Sequence, residues 1–324
     1  MSSELLVNEA TKRGCRVEII NRDKNVYVIY NPADNQPHLF KASAIMKNNV
    51  VGSRITDFKD ITFQVLQHFF PDAPLPSSTI CRSGDNVEKL IIEKKLRYPL
   101  VVKATDGSHG ENVFVNITNA QDLQTALSSA YAYNNNNEAI VQEMLQGDDH
   151  RLLVVGYKLV AASKRLPAFV TGNGKNTIRE LVDIENNHPD RGLDYTKPLT
   201  KIVLDEDVEK LLSIKKLTLD SIPDLGVRVL LKNTANISSG GVAIDCTDDV
   251  HVDTRRAVEQ IAQRLRLGLV AFDIISPDIS KKTSDVRAGI IELNDTPGLR
   301  MHHFPYSGKT RNVSQDILDF CFEG

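Results

Sequence analysis

Helical and strand patterns that alternate along 324 residues predict an α+β or α/β fold built from two or three subdomains. Three observations carry that prediction. Apolar segments with strand-like patterning recur from residue 16 to residue 294, segments with helical spacing lie between them, and no repeat of fixed period joins them.

The first expected element is a hairpin. Apolar stretches at 16–20 and 26–29 flank Asn21-Arg22-Asp23-Lys24-Asn25, a polar turn cluster. A helix is expected at 57–69, where Ile61, Val65, Leu66 and Phe69 share one face. It ends before Pro71-Asp72-Ala73-Pro74-Leu75-Pro76, which cannot continue a helix. Further on, helices are expected at 86–96 and 121–133, with strands at 100–103, 113–117 and 139–143. Asn134 to Asn137 read as a loop tip. Strands at 151–155 and 158–165 pair around Gly156-Tyr157. The remainder alternates helices at 178–187, 207–212 and 252–265 with strands at 227–231, 269–275 and 288–294.

The bulk numbers exclude several classes of function. Hydrophobic residues at 41% and charged residues at 25% are ordinary for a soluble globular protein. A net charge of −3 gives no reason to propose nucleic acid or an anionic membrane as partner. No apolar run approaches the roughly 18–20 residues that span a bilayer, and the N-terminus lacks the basic and apolar regions of a signal peptide. Cys15, Cys81, Cys246 and Cys321 are scattered without metal-ligand spacing, so buried thiols in a reducing cytoplasm are expected.

Chemistry concentrates in a few places. In Gly289-Ile290-Ile291-Glu292-Leu293-Asn294, Glu292 and Asn294 project to one face of a strand, and Ile291 and Leu293 to the other, toward a core. A second apolar strand carries Asp273 in its middle. Two strands aiming Asp, Glu and Asn oxygens at one place make a hard-cation site suited to magnesium; the alternative is an edge strand whose polar face is merely solvated. The stretch Lys103-Ala104-Thr105-Asp106-Gly107-Ser108-His109-Gly110-Glu111 delivers a lysine into a small-residue loop between two strands. Such a loop can wrap phosphate with backbone N–H groups, or be a plain hairpin. It is neither a Walker P-loop nor a dinucleotide fingerprint.

Gln142-Glu143-Met144-Leu145, with Asp149 nearby, could form a nucleotide hinge: backbone for an adenine edge, Met144 and Leu145 around the ring, an acid for ribose. A strand ending in a polar turn is the other reading. Arg151 and Arg165 stand at strand ends, where arginine can clamp phosphate or carboxylate, although surface arginines without such a role are common. The segment from Asn233 to Gly241 is rich in small hydrogen-bonding residues and could cover a substrate or be a mobile connection. Adjacent His302 and His303 suit a zinc site poorly.

Taken in order, these pieces resemble an ATP-grasp ligase. From about residue 100 to residue 322 the chain looks like the ATP-grasp module of cyanophycin synthetases, and is similar to the C-terminal module of bifunctional glutathione synthetases. The carrying motifs include Gly147-Asp148-Asp149-His150-Arg151, Arg165-Leu166-Pro167-Ala168, Gly172-Asn173-Gly174-Lys175-Asn176-Thr177, Leu199-Thr200-Lys201-Ile202, Asn236-Ile237-Ser238-Ser239-Gly240-Gly241, Ala243-Ile244-Asp245 and Pro297-Gly298-Leu299-Arg300-Met301-His302. The N-terminal segment, with Glu9-Ala10-Thr11-Lys12-Arg13-Gly14 and Asp57-Phe58-Lys59-Asp60, is closer to the glutathione synthetases. The Pro297–His302 tail is closer to the cyanophycin synthetases.

The resemblance implies an ATP-grasp fold of two α+β subdomains gripping a nucleotide, preceded by a small N-terminal α/β segment. The expected division is 1–84 as the preceding segment, 85–165 as the nucleotide lid, and 166–324 with the metal and substrate site. It implies ATP and Mg²⁺ (or Mn²⁺) as cofactors and ATP-dependent ligation of a carboxylate to an amine. Lys59 and Lys103 would bind phosphates, with Gly107, Ser108, His109 and Gly110 closing over them. Gln142, Glu143, Met144, Leu145, Asp149 and Arg151 would complete the ATP site. Asp273, Glu292 and Asn294 would hold the metal. Arg165, Asn236 and Arg300 would act in catalysis, and Arg151, Ser238, Ser239, Gly240, Gly241 and Arg300 would bind substrate. Amino acids or short peptides are the expected substrates, with polyaspartate-like acceptors as the second reading, and dimers are common in the family. A nucleotide-binding protein that has lost catalysis is the third reading.

Overall fold

The computed structural model describes residues 2–105, 112–133, 137–193 and 197–323. They fall into two compact units, each made of separated stretches of chain.

One unit comprises Met1–Ser43, Val160–Asp248 and Gly298–Gly324. The expected hairpin forms, with Arg16–Asn21 antiparallel to Val26–Tyr30, and Pro37–Lys41 adds a third strand. Its buried face stacks Tyr27 on Phe40 with ring centroids 5.3 Å apart. The Ser2–Lys12 helix packs beside the C-terminal helix Val313–Phe322, and Arg13 bridges to Asp319 at 2.6 Å. Neither helix stood out from the sequence. In the same unit, Lys158–Leu166 pairs antiparallel with Val242–Asp245, setting Arg165 opposite Ala243. A separate core of Ala168, Val170, Ile178, Val208, Leu212 and Leu231 lies beneath two short helices. The first, Ile178–Asn186, starts in a capping box: the Thr177 hydroxyl accepts from the Glu180 N–H, and the Glu180 carboxylate accepts from the Thr177 N–H. The second, Glu206–Ile214, is capped by Asp205, which also pairs with Lys232.

The other unit comprises Ala44–Leu159 and Asp249–Pro297. A four-stranded antiparallel sheet runs Ser78–Arg82, Glu138–Glu143, Leu100–Ala104, Val113–Ile117 from edge to edge. The Ala120–Tyr133 helix seals one face, burying Leu123, Leu127 and Ala130 against Leu100, Val102 and Val141. Lys103 is therefore on the face away from that core, since it alternates with Val102. In the same unit, Asp148–Val155, Leu269–Ser276 and Gly289–Asn294 form an antiparallel row. Its central strand is buried on both faces, and Leu269 to Phe272 are wholly inaccessible. The Val252–Leu265 helix packs on this row, and the Asn48 side chain caps its central strand with two hydrogen bonds to Leu269, of 2.9 and 2.8 Å. The helix expected at 57–69 runs Lys59–Phe69, and a short helix, Val50–Thr56, precedes it.

One expectation is corrected at the last strand. Its pairing with the central strand slips between Asp273 and Ile274: Asp273 faces Glu292, but Ile274 faces Ile290, two residues back. The extra residue is Ile291, which is only half-buried, so Ile290 takes the core position that alternation assigned to Ile291. Such a bulge re-aims the side chains beyond it without breaking the strand. Leu293 is in the core as expected.

Candidate active site

The register of three strands builds one group of candidate residues. Arg151, Asp273 and Glu292 are direct cross-strand neighbours, Arg151 opposite Asp273 and Asp273 opposite Glu292. They form one row on one face. Asp273 is buried, and both its carboxylate oxygens accept from the Arg151 guanidinium, Nε and Nη2 each at 2.7 Å. This is the fork-to-fork geometry that makes arginine–carboxylate pairs directional. Glu292 pairs with Lys59 at 3.3 Å, so the helix that starts at Lys59 brings its first ammonium to the acidic strand. Asn294, two residues on, accepts the Thr296 N–H at 3.1 Å and closes a turn at the strand end. The next carboxylate, Asp295, accepts from Ser53 at 2.5 Å, which ties the Val50–Thr56 helix to that turn.

Lys103 is buried, and its ammonium donates to the Gln142 side chain at 3.2 Å. Burial pulls its pKa down to about 8; the Glu292 carboxylate opposes that shift, the Lys59 charge adds to it, and Asp273 opposes it further. Three cations and two carboxylates thus converge within one unit. Three cations against two carboxylates leave a net positive charge there, which favours binding of an anion. Gly107, Ser108, His109 and Gly110 lie outside the described residues.

The hinge residues are anchored in ways the sequence did not suggest. Gln142 and Glu143 are buried, whereas Met144 and Leu145 are half-buried. The Glu143 carboxylate accepts the Arg97 N–H at 2.9 Å and pairs with Arg287 at 3.0 Å, so it fastens the segment. The Glu143 and Met144 N–H groups donate to the carbonyls of Ser77 and Pro99. Asp149 is half-buried on the strand that carries Arg151.

The other unit holds a separate group of candidate residues. Ser163 and Arg165 share one face of their strand, and both are buried. The Ser163 hydroxyl meets His302 Nδ1 at 3.0 Å, which brings the Arg300–His303 helix, with its buried Arg300, to that face. His303 turns elsewhere, its Nε2 accepting the Ser314 N–H at 3.3 Å and meeting the Ser314 hydroxyl at 2.9 Å. Two histidines aimed at separate serines do not make a zinc site. The segment after Asn236 is a single 3₁₀ turn, Ile237–Ser239, closed by Gly240 at φ 92°. Both glycines there are required. A Cβ on Gly240 would stand 2.8 Å from the Ile202 side chain, and one on Gly241 2.7 Å from the Asn236 carbonyl.

The donor set fits magnesium. Among the described residues no three His, Cys, Asp or Glu side chains cluster; the candidate ligands are Asp273 and the facing Glu292, with Asn294 two residues on, and all three offer oxygen. Such a sparse set leaves coordination positions for water and phosphate.

Comparison with known proteins meets the same reading. Residues 58–191 match the RimK-like ATP-grasp domain. The whole chain superposes on the crystal structure of a bifunctional glutathione synthetase from Pasteurella multocida with a TM-score of 0.76 and 27% identity, covering 99% of this chain and 43% of that one. The chain carries an ATP-grasp domain. It is 35% identical over 323 residues to a cyanophycin synthetase of Crocosphaera subtropica, covering 99% of this chain and 36% of the relative. It is 33% identical over 324 residues to the glutathione biosynthesis bifunctional protein of Listeria welshimeri, covering 100% of this chain and 41% of that relative. The chain thus spans well under half the length of the curated relatives it matches. Both families named from the motifs are represented.

Arg191, at the end of the matched segment, is a charged residue that the sequence did not single out. It is buried, donates to the Thr200 and Gly240 carbonyls at 2.6 and 3.2 Å, and pairs with Glu185 at 3.4 Å. Only the Asp190-Arg191-Gly192 segment next to the Leu199-Thr200 motif could have signalled it. No helix among the described residues is long and apolar enough to cross a membrane, and all four cysteines are buried free thiols, as expected.

Proposed function

We propose that this protein is an ATP-dependent carboxylate–amine ligase that joins amino-acid or short peptide substrates through an acyl phosphate. The observation that carries the reading is the row Arg151, Asp273 and Glu292 across three strands, with Lys59 and Lys103 converging on it. Chemistry of this class asks the protein for positioning and charge neutralisation more than for covalent steps.

In this reading Lys59 and Lys103 bind the nucleotide phosphates, and Gln142 to Leu145 with Asp149 form the base and ribose side. Asp273, Glu292 and Asn294 would hold Mg²⁺ (or Mn²⁺), which supplies charge neutralisation of the phosphates when bound. Arg151 orients Asp273 through both carboxylate oxygens, leaving the second lone pair of each for a metal, a role this bidentate pair supports better than capture of a substrate carboxylate. Arg165 and Arg300 neutralise the phosphoryl group in flight, and Asn236 with Ser238 to Gly241 receive the acceptor. Residues 85–165, with the segment Gly107 to Gly110, cover the nucleotide and exclude water, while 166–324 supply the metal and acceptor groups. The substrate carboxylate oxygen attacks the terminal phosphorus, ADP leaves, and the amine then displaces phosphate from the acyl carbon.

Glutathione-like products are the first choice of substrate class; addition of an amino acid to a polyaspartate-like acceptor is the second, supported by the match to cyanophycin synthetases. A reducing compartment such as the cytoplasm suits the four buried thiols. Incubation with ATP, Mg²⁺ and pairs of amino acids or γ-glutamyl dipeptides, followed by mass spectrometry, separates these outcomes by product size. ATP consumption without any condensed product would overturn the proposal.

A further inference from the structure

The turn that follows Asn236 cannot hold its shape by itself. It has one short 3₁₀ segment and a left-handed glycine; within it the Ser239 N–H and hydroxyl and the Gly241 N–H all donate to the Asn236 carbonyl, and the Gly240 N–H donates to the Ile237 carbonyl. A turn with so few bonds opens easily unless something outside it is fastened to it. What fastens it is a buried network in the same unit. Arg191 Nη1 donates to the Gly240 carbonyl at 3.2 Å and to the Thr200 carbonyl at 2.6 Å, while its Nε faces Glu185 at 3.4 Å. Asn186, beside Glu185 at the end of the same helix, clamps Ile202 by two hydrogen bonds of 2.8 and 2.9 Å. Ile202 in turn fills the space where a Cβ of Gly240 would stand. The helix end therefore reaches Gly240 twice, through Glu185 and Arg191 to its carbonyl, and through Asn186 and Ile202 to its Cα.

We propose that Arg191 is a positioning residue for the acceptor loop: by holding the Gly240 carbonyl it fixes the turn that presents the Asn236 amide and the exposed Ser238. The inference rests on the ligase reading for what the loop receives, and on geometry alone for what Arg191 holds. A guanidinium suits the task because its fixed fork spans two carbonyls and a carboxylate at once, which a lysine tip cannot do in one orientation. The loop's own N–H groups at 239 to 241 are turned inward, so recognition falls to side chains whose place depends on this anchor.

The test compares wild type with R191K and R191Q. Hydrogen exchange of the amides of Ser239, Gly240 and Gly241 is measured without substrates, and KM for acceptor and for ATP is measured with the products identified. Expected are faster exchange confined to residues 236–241, a rise of about 10- to 100-fold in acceptor KM, and an unchanged ATP KM, because a displaced positioning group costs that much. R191K keeps the charge and so preserves folding if R191Q does not fold. Unchanged exchange in R191K, or equal rises in both KM values, would overturn the inference. A wild-type protein that ligates nothing sinks the ligase reading instead, and the exchange experiment then still decides whether Arg191 holds the loop.

Discussion

Replacing Arg151 by Met removes the bidentate partner of a buried carboxylate. The Asp273 side chain is 4% exposed and the Arg151 side chain 12%, and two bonds of 2.7 Å join them. Breaking such a pair from one side leaves a buried charge and costs about 3–5 kcal/mol. At roughly 2–4 °C per kcal/mol for a domain of this size, R151M should melt about 6–20 °C below wild type in nucleotide-free buffer. The double variant R151M/D273L replaces both charges by apolar groups and should recover most of that loss, because a buried pair is worth little more than its hydrophobic isostere. Lys59→Met is the internal control. Its partner Glu292 is 38% exposed, so water screens the pair and the loss should stay within about 1 kcal/mol. Urea titration and calorimetry of wild type, R151M, D273L and the double variant close the cycle, with K59M measured alongside. A loss below about 1 kcal/mol in R151M, or a double variant as unstable as the single, would refute the picture of a buried, structurally committed Asp273.

Further outcomes follow from the same geometry. Burial pulls the His303 pKa down to about 4, against a smaller upward pull from Glu9 and a further downward one from Lys12. The unfolded chain therefore binds more protons than the folded one between pH 6.5 and about 4, so stability is full above that window and falls as pH drops through it, by at most about 1.4 kcal/mol per pH unit from this group. H303Q should flatten that slope, and an NMR titration that found His303 with an ordinary pKa would remove its basis. Gly241→Ala drives a Cβ against two backbone carbonyls, of Asn236 at 2.7 Å and Leu166 at 2.8 Å, and should cost about 1–3 kcal/mol while lowering acceptor-dependent turnover; a variant of wild-type stability would contradict the packing. Glu292→Gln keeps the shape of the strand and should bind Mn²⁺ with nucleotide at least about tenfold more weakly, by electron paramagnetic resonance, with an unchanged melting profile. Undiminished metal binding would displace Glu292 from the ligand set.

The two acidic strands were more legible in the sequence than the scaffold around them. Glu292 and Asn294 are legible because i and i+2 on a strand share a face, and Asp273 because it interrupts an apolar run. The strand register that aligns Arg151, Asp273 and Glu292 is a tertiary fact, and no local pattern carries it. The bulge at Ile291 escaped for a related reason. Alternation assumes an unbroken ladder, and the slip appears only when the partner strand is seen. The Ser2–Lys12 and Val313–Phe322 helices went unread because each is short and gains its burial from the other. Arg191 carried no local signal, since its three partners lie 6, 9 and 49 residues away in the chain.

The central claim is that the acidic row and its lysines serve ATP-driven amide formation. Phosphate release screened over amino-acid pairs and γ-glutamyl dipeptides, with mass spectrometry of every positive, tests it most directly. The account predicts ADP and phosphate in equal amounts together with one product whose mass is the sum of two substrates less one water, all lost in E292Q. Phosphate release with no condensed product, or a product formed equally well by E292Q, would contradict it.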